Sequence, residues 1–96
     1  MKVVVKSFLT VRKAMHGQAS LEIEADGITI RELLDQLCSW FGENLKNMIF
    51  DPQAREENQD IKILINGRSY RLLPAGLDSP LMDGDVVSVF PIMAGG

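Results

Sequence analysis

A chain of 96 residues, 46% of them hydrophobic, supports one small domain with a single core. Its net charge of −3 and pI of about 5.0 offer no basic stripe to neutralise phosphates, which argues against nucleic-acid binding. A lone Cys38 excludes an internal disulfide framework and a cysteine zinc site, and no apolar run approaches a membrane span or signal peptide, so a cytoplasmic protein is expected.

In chain order, residues 2–10 (KVVVKSFLT) read as a strand with Val3 and Val5 on one face and Lys2, Val4 and Lys6 on the other. Residues 11–17 form a connector closed by Gly17 and carrying Arg12, Lys13 and His16; a lone histidine without a nearby partner reads as a solvated side chain. Residues 21–25 (LEIEA) alternate apolar and charged, as a half-buried strand pairing with the first does.

A helix over about 29–41 follows. Thr29 and Glu32 have the spacing of a capping box, and Ile30, Leu33, Leu34, Leu37, Cys38 and Phe41 recur on one helical face, with Gly42 as the stop. Cys38 sits on that apolar face and reads as a core thiol rather than a nucleophile. Leu45, Met48, Ile49 and Phe50 suggest one short helical turn, and 53–60 a solvated loop whose carboxylates lack metal-ligand spacing; no metal is expected.

Residues 61–65 (IKILI) read as a strand turning at Asn66-Gly67 into a short edge strand over 68–73. Residues 77–81 make a tight turn that packs two leucines inward. The last strand, 85–90, is β-branched and aromatic and follows an Asp83-Gly84 turn. With Val87 and Val89 inward, Val86, Ser88 and Phe90 face out, and Phe90 with Phe8 would form an apolar patch of the kind partners use, although Phe8 fits a core position equally well. Arg12 would pair with a partner's acid or stay solvated. Strand, strand, helix, strand, short strand, strand predicts an α+β β-grasp (ubiquitin-like) roll: a mixed sheet of about five strands, the last lying centrally beside the first, one main helix on one face, a domain over 1–90 and a flexible tail over 91–96.

The tail is Pro91, Ile92, Met93, Ala94, Gly95 and Gly96. Pro91 cannot donate to a ladder, so pairing is expected to stop there. Two readings of the glycines stand. Termini are commonly loose, and glycine suits them. Alternatively the Gly96 carboxylate is the working group: a tail without Cβ atoms threads a narrow channel, and six extended residues span at most ~20 Å. A carboxylate becomes an acyl donor only when its oxygen is made a leaving group, which requires adenylation with ATP by another enzyme. No nucleophile–base pair, phosphate-cradling glycine loop or metal set suggests that the chain is an enzyme by itself.

Residues 82–96 (MDGDVVSVFPIMAGG) resemble the ending of the MoaD/ThiS sulfur-carrier proteins, ubiquitin-like in fold: an Asp-Gly-Asp turn, a hydrophobic strand, often Phe-Pro, then Gly-Gly. ILING at 63–67, LDSPL at 77–81 and the stretch from Phe8 to Arg12 fit the same family. The resemblance implies that a ubiquitin-activating-type adenylyltransferase (MoeB/ThiF-like) forms an acyl-adenylate on Gly96. A sulfur donor then converts it to a thiocarboxylate. No cofactor is bound permanently. In the molybdopterin branch the tail enters a MoaE-like large subunit and delivers sulfur to a pterin precursor; in the ThiS branch it supplies the sulfur of the thiamine thiazole. The chain length and Phe90-Pro91 resemble the molybdopterin branch more. Ile92, where a second proline is frequent, and the long 43–60 segment depart from the common pattern. A carrier for another pathway, a protein modifier forming isopeptides through Gly96, and a plain interaction module with an inert tail are the alternatives.

Overall fold

The computed structural model describes residues 1–51, 56–57 and 61–91. Its centre is a pair of parallel strands from opposite ends of the chain, β1 (Lys2–Ser7) and a final strand (Val86–Pro91), in register from Val4↔Val86 to Ser7↔Val89. Both are valine-rich, and β-branched side chains pack well on a pleated surface. In chain order the elements between them are α1 (Leu9–Ala14), β2 (Ser20–Glu24), α2 (Ile30–Phe41), α3 (Glu43–Ile49), β3 (Phe50–Asp51), β4 (Glu56–Glu57), β5 (Ile61–Ile65) and β6 (Arg68–Ser69), so the final strand is β7. Single 3-10 turns occupy Tyr70–Leu72 and Gly76–Asp78.

The main sheet has the order β2-β1-β7-β5-β6, mixed as expected, with β7 antiparallel to β5 and β1 antiparallel to β2. Val3, Val5, Ile23, Ile61, Ile63, Ile65, Val87 and Val89 are buried on its inner face. Ile30, Leu33, Leu34 and Leu37 of α2 join them in one buried cluster, completed by Val11, Met15, Leu45 and Ile49. This is the β-grasp arrangement.

α2 starts where the capping box places it. The Glu32 backbone N–H donates to Thr29 Oγ1 at 3.2 Å, and the Thr29 N–H donates to Glu32 Oε1 at 2.9 Å. It ends at Gly42, whose φ of 97° is costly for a residue with a Cβ. Cys38 is only half-buried, facing a cleft of about 370 Å³ shared with Asp35, Ser39, Glu43, Lys46 and Phe50. Partial burial, aided by the Asp35 carboxylate and opposed by Lys46, pushes its thiol up to about 11.

Four local expectations differ from the structure. The first strand ends at Ser7, and the connector contains α1; its buried residues, Val11 and Met15, are a single i,i+4 pair, too short a repeat to announce a helix, and Phe8 at the N-cap makes no side-chain cap bond. Residues 43–51 form a two-turn helix and then β3, which pairs with β4 where a solvated loop was expected. The edge strand over 68–73 is reduced to Arg68–Ser69, because the Ser69 hydroxyl accepts from the Arg71 N–H and turns the chain so that Tyr70 is buried. Finally, Pro91 belongs to β7, opposite Ile61, so the strand takes in a residue assigned to the tail. Ile92 to Gly96 lie outside the described residues.

The two turns flanking β7 are tied together. Asn66 adopts φ 53° ahead of Gly67, as a tight hairpin turn requires. Its side-chain NH₂ donates to Asp85 Oδ1 and its side-chain oxygen accepts from the Val86 N–H, both at 2.9 Å. The other Asp85 oxygen accepts from the Met82 N–H at 2.9 Å. Asp85 thus joins the Asn-Gly hairpin to the Asp-Gly-Asp turn and fixes where β7 enters the sheet.

Three outcomes follow from these contacts. Asp85→Ala should lower the unfolding free energy by about 1–3 kcal/mol, read as a lower urea midpoint at unchanged m. Cys38 has a folded-state value above the 9.0 of a free thiol, so the folded protein holds the proton longer; stability should decline as pH rises between 9.0 and about 11. Alkylation of native Cys38 should accordingly be slow at neutral pH, where its thiolate fraction is roughly a hundredfold below that of the free thiol, and should climb steadily toward pH 11.

Candidate functional site

β7 is the central strand, paired with β1 from Val86 to Val89 and with β5 from Val87 to Pro91, and Pro91 is followed by the C-terminal residues. Its alternation sends Val87 and Val89 into the core and leaves Val86, Ser88 and Phe90 half-exposed on the outer face. Register supplies their neighbours on that face. Val4 lies beside Val86, Leu64 beside Ser88 on one side with Lys6 on the other, and Lys62 beside Phe90.

Phe8 continues the outward alternation of β1 one residue past the strand. Its ring meets that of Phe90 edge to face, centroids 6.0 Å apart and planes at 89°. Phe8 is 38% exposed, which places it outside the core and makes it part of the surface. Val4, Val86, Leu64, Phe8 and Phe90 therefore form an apolar strip leading to Pro91, interspersed with the lysines Lys6 and Lys62.

Arg12 is exposed but is engaged within its own chain. Its Nε and Nη2 both donate to the Ser7 carbonyl, at 3.2 and 3.1 Å, and its guanidinium lies 5.9 Å from the centre of the Phe8 ring. Ser7 itself is fully buried, with its hydroxyl donating to the Gln18 carbonyl. His16 is exposed and packs edge to face with Phe41, ring centroids 5.2 Å apart.

Of the residues expected at this site, Phe8, Phe90 and Arg12 come together near the end of β7, with Pro91 next in the chain, while Val86 lies at the start of the same strand beside Val4. Ile92, Met93, Ala94, Gly95 and Gly96 lie outside the described residues. Val4 and Leu64 are the members of the strip that the residue pattern did not single out as a partner site. Leu64 was visible as the one apolar side chain at an outward position of 61–65, where Ile61, Ile63 and Ile65 take the inward ones. Among the described residues no group of three His, Cys, Asp or Glu side chains could hold a metal ion, and no helix is long and apolar enough to cross a membrane.

The profile of the ThiS family matches residues 5–96. A protein of Archaeoglobus fulgidus named as a sulfur carrier protein is 34% identical over 80 residues, which is 83% of this chain and 88% of that one. Among solved structures, the small archaeal modifier protein 1 of Methanosarcina acetivorans is 30% identical with a TM-score of 0.81, covering 99% of this chain and 96% of its own. A protein of Pyrococcus furiosus named molybdopterin converting factor, subunit 1, is 32% identical with a TM-score of 0.71, covering 97% of this chain and 99% of its own. The fold, the family profile and these likenesses agree: the chain belongs to the ThiS/MoaD family of ubiquitin-like sulfur carriers.

Proposed function

We propose that this protein carries sulfur on Gly96 and delivers it in molybdopterin biosynthesis as the small subunit of molybdopterin synthase. The observation that carries the reading is the placement of β7: the central strand, paired with both β1 and β5 and bearing an apolar strip on its outer face, leads into an Ile-Met-Ala-Gly-Gly ending. A partner that grips the strip has the last five residues at hand, which extend at most about 17 Å. The body remains outside while Gly96 reaches the partner's active site.

The chemistry runs in two steps. A Gly96 carboxylate oxygen attacks the α-phosphorus of ATP in a ubiquitin-activating-type adenylyltransferase, and pyrophosphate leaves. A sulfide-level sulfur from a donor then attacks the acyl carbon and AMP leaves, giving the thiocarboxylate. ATP is consumed by the activating enzyme, and this chain serves as co-substrate rather than catalyst. The thiocarboxylate next enters the large subunit of the synthase and gives its sulfur to a pterin precursor, within the cytoplasm. The likeness to molybdopterin converting factor subunit 1 and the Phe90-Pro91 junction support this branch over a thiamine-thiazole carrier.

A second reading draws support from the likeness to small archaeal modifier protein 1: the same activated Gly96 meets a lysine amine and forms an isopeptide. Both readings need a free carboxylate on Gly96, and they differ in the acceptor.

Incubation with ATP, an activating adenylyltransferase and a sulfur donor should raise the intact mass by one oxygen-to-sulfur exchange. Deleting Gly96, or adding one residue after it, should abolish the gain; a blocked chain that still supports its pathway would refute the proposal. Gly-Gly remnants on lysines in a cell digest would favour the modifier reading. Leu64→Glu puts a charge in the centre of the apolar strip and should weaken binding to the activating enzyme by on the order of tenfold or more, with thermal unfolding little changed because Leu64 is only half-buried.

A further inference from the structure

We propose that Arg12 is a positioning residue acting within its own chain: it fixes the Phe8 ring against Phe90 and so sets the point and direction from which the C-terminal residues leave the sheet. This rests on the reading that Gly96 reacts in a partner's active site.

The contacts form a short relay. Ser7 is the last residue of β1 and pairs with Val89, one residue before Phe90. Its carbonyl is held by two donors of the Arg12 guanidinium. The same guanidinium lies over the Phe8 ring, and that ring meets Phe90 edge to face. Phe90 in turn precedes Pro91, the final residue of β7.

The backbone shows why Phe8 needs holding. Phe8 is extended, with φ −138° and ψ 147°, and Leu9 then takes φ 54°, a left-handed conformation unfavourable for a leucine, to turn the chain into α1. The ring thus projects from a sharp corner and is more than a third exposed. Arg12, at the far end of the same helical turn, reaches back and ties both the carbonyl before the corner and the ring on it. Ordering Phe8 orders Phe90, and a tail several residues long magnifies any rotation at its root. A misplacement of ~1 Å at a reacting atom can cost on the order of 10²-fold in rate.

Lysine separates this role from an ion pair with a partner. It keeps the charge, but it has neither the planar fork that binds one carbonyl through two N–H groups nor the flat face that stacks on a ring. The test uses the full chain with Arg12→Lys, Phe8→Leu and the double substitution. Ring-proton shifts of Phe8 and Phe90 are read by NMR in the free protein, and adenylation kinetics with the activating adenylyltransferase and ATP.

Arg12→Lys should move the ring-proton shifts of both phenylalanines in the free protein. It should lower kcat by on the order of tenfold with KM little changed. In the Phe8→Leu background it should add little, because the effect runs through the ring. Unchanged ring shifts would overturn the proposal. So would wild-type kinetics in the lysine variant, which would place Arg12 in an ion pair with the partner. The NMR measurement needs no enzyme, so failure of the wild-type chain to form a thiocarboxylate would remove the sulfur-carrier reading while the ring shifts still decide whether Arg12 orders Phe90.

Discussion

The parallel pairing of β1 with β7 is the constraint on which the rest of the structure depends. It joins the first strand of the chain to the last, so it forms only when everything between them has folded compactly enough to bring the ends together. Its stability comes from burial: Val3, Val5, Val87 and Val89 are at most 1% exposed and line the sheet beneath α2. A parallel ladder closed across the whole chain is a costly contact to make early in folding. The local devices on either side, the α2 capping box and the paired turns around Asp85, hold the intervening segments in place so that this contact can close.

Centrality also makes β7 suitable for presenting a tail. An edge strand frays and offers its free N–H and C=O groups to other chains. β7 is bonded on one side by β1, from Val86 to Val89, and on the other by β5, from Val87 to Pro91, so the chain at Pro91 is still paired to the sheet through β5. The outer face of the same strand bears Val86 and Phe90, with Val4, Leu64 and Phe8 around them. Apolar side chains contiguous on one surface of a small domain commonly mark a partner site. Val86, Phe90 and Pro91 are therefore residues of one strand, the one that precedes the C-terminal residues.

Cys38 offers a contrast. It is a thiol in a cleft on the helical side, near Asp35 and Lys46. Burial and the neighbouring carboxylate hold the proton on it, which makes it a poor nucleophile. The proposed function puts the reactive group at Gly96 instead, where no side chain is required.

Elements with a long repeat or a local chemical signal were readable from the residues. α2 shows about three turns of periodic apolar positions and a capping box; the strands show alternation; the Asn-Gly and Asp-Gly turns depend on residues tolerant of positive φ. The inward and outward assignment of β7 followed from its period of two, and with it the positions of Val86 and Phe90. Elements decided by distant partners were not readable. α1 has one buried pair and no cap, and it exists because Val11 and Met15 find the core. β6 stops after two residues because Tyr70 turns inward. Leu64 looks like one more strand leucine until the register sets it beside Ser88. Arg12 is an arginine in a connector until the corner at Leu9 brings it back over Phe8. Local pattern determined the period, the caps and the turns, because those are set by neighbours in the chain. The tertiary structure alone decided which surfaces meet and which arginine is already engaged, because those contacts join residues that come together only when the sheet closes.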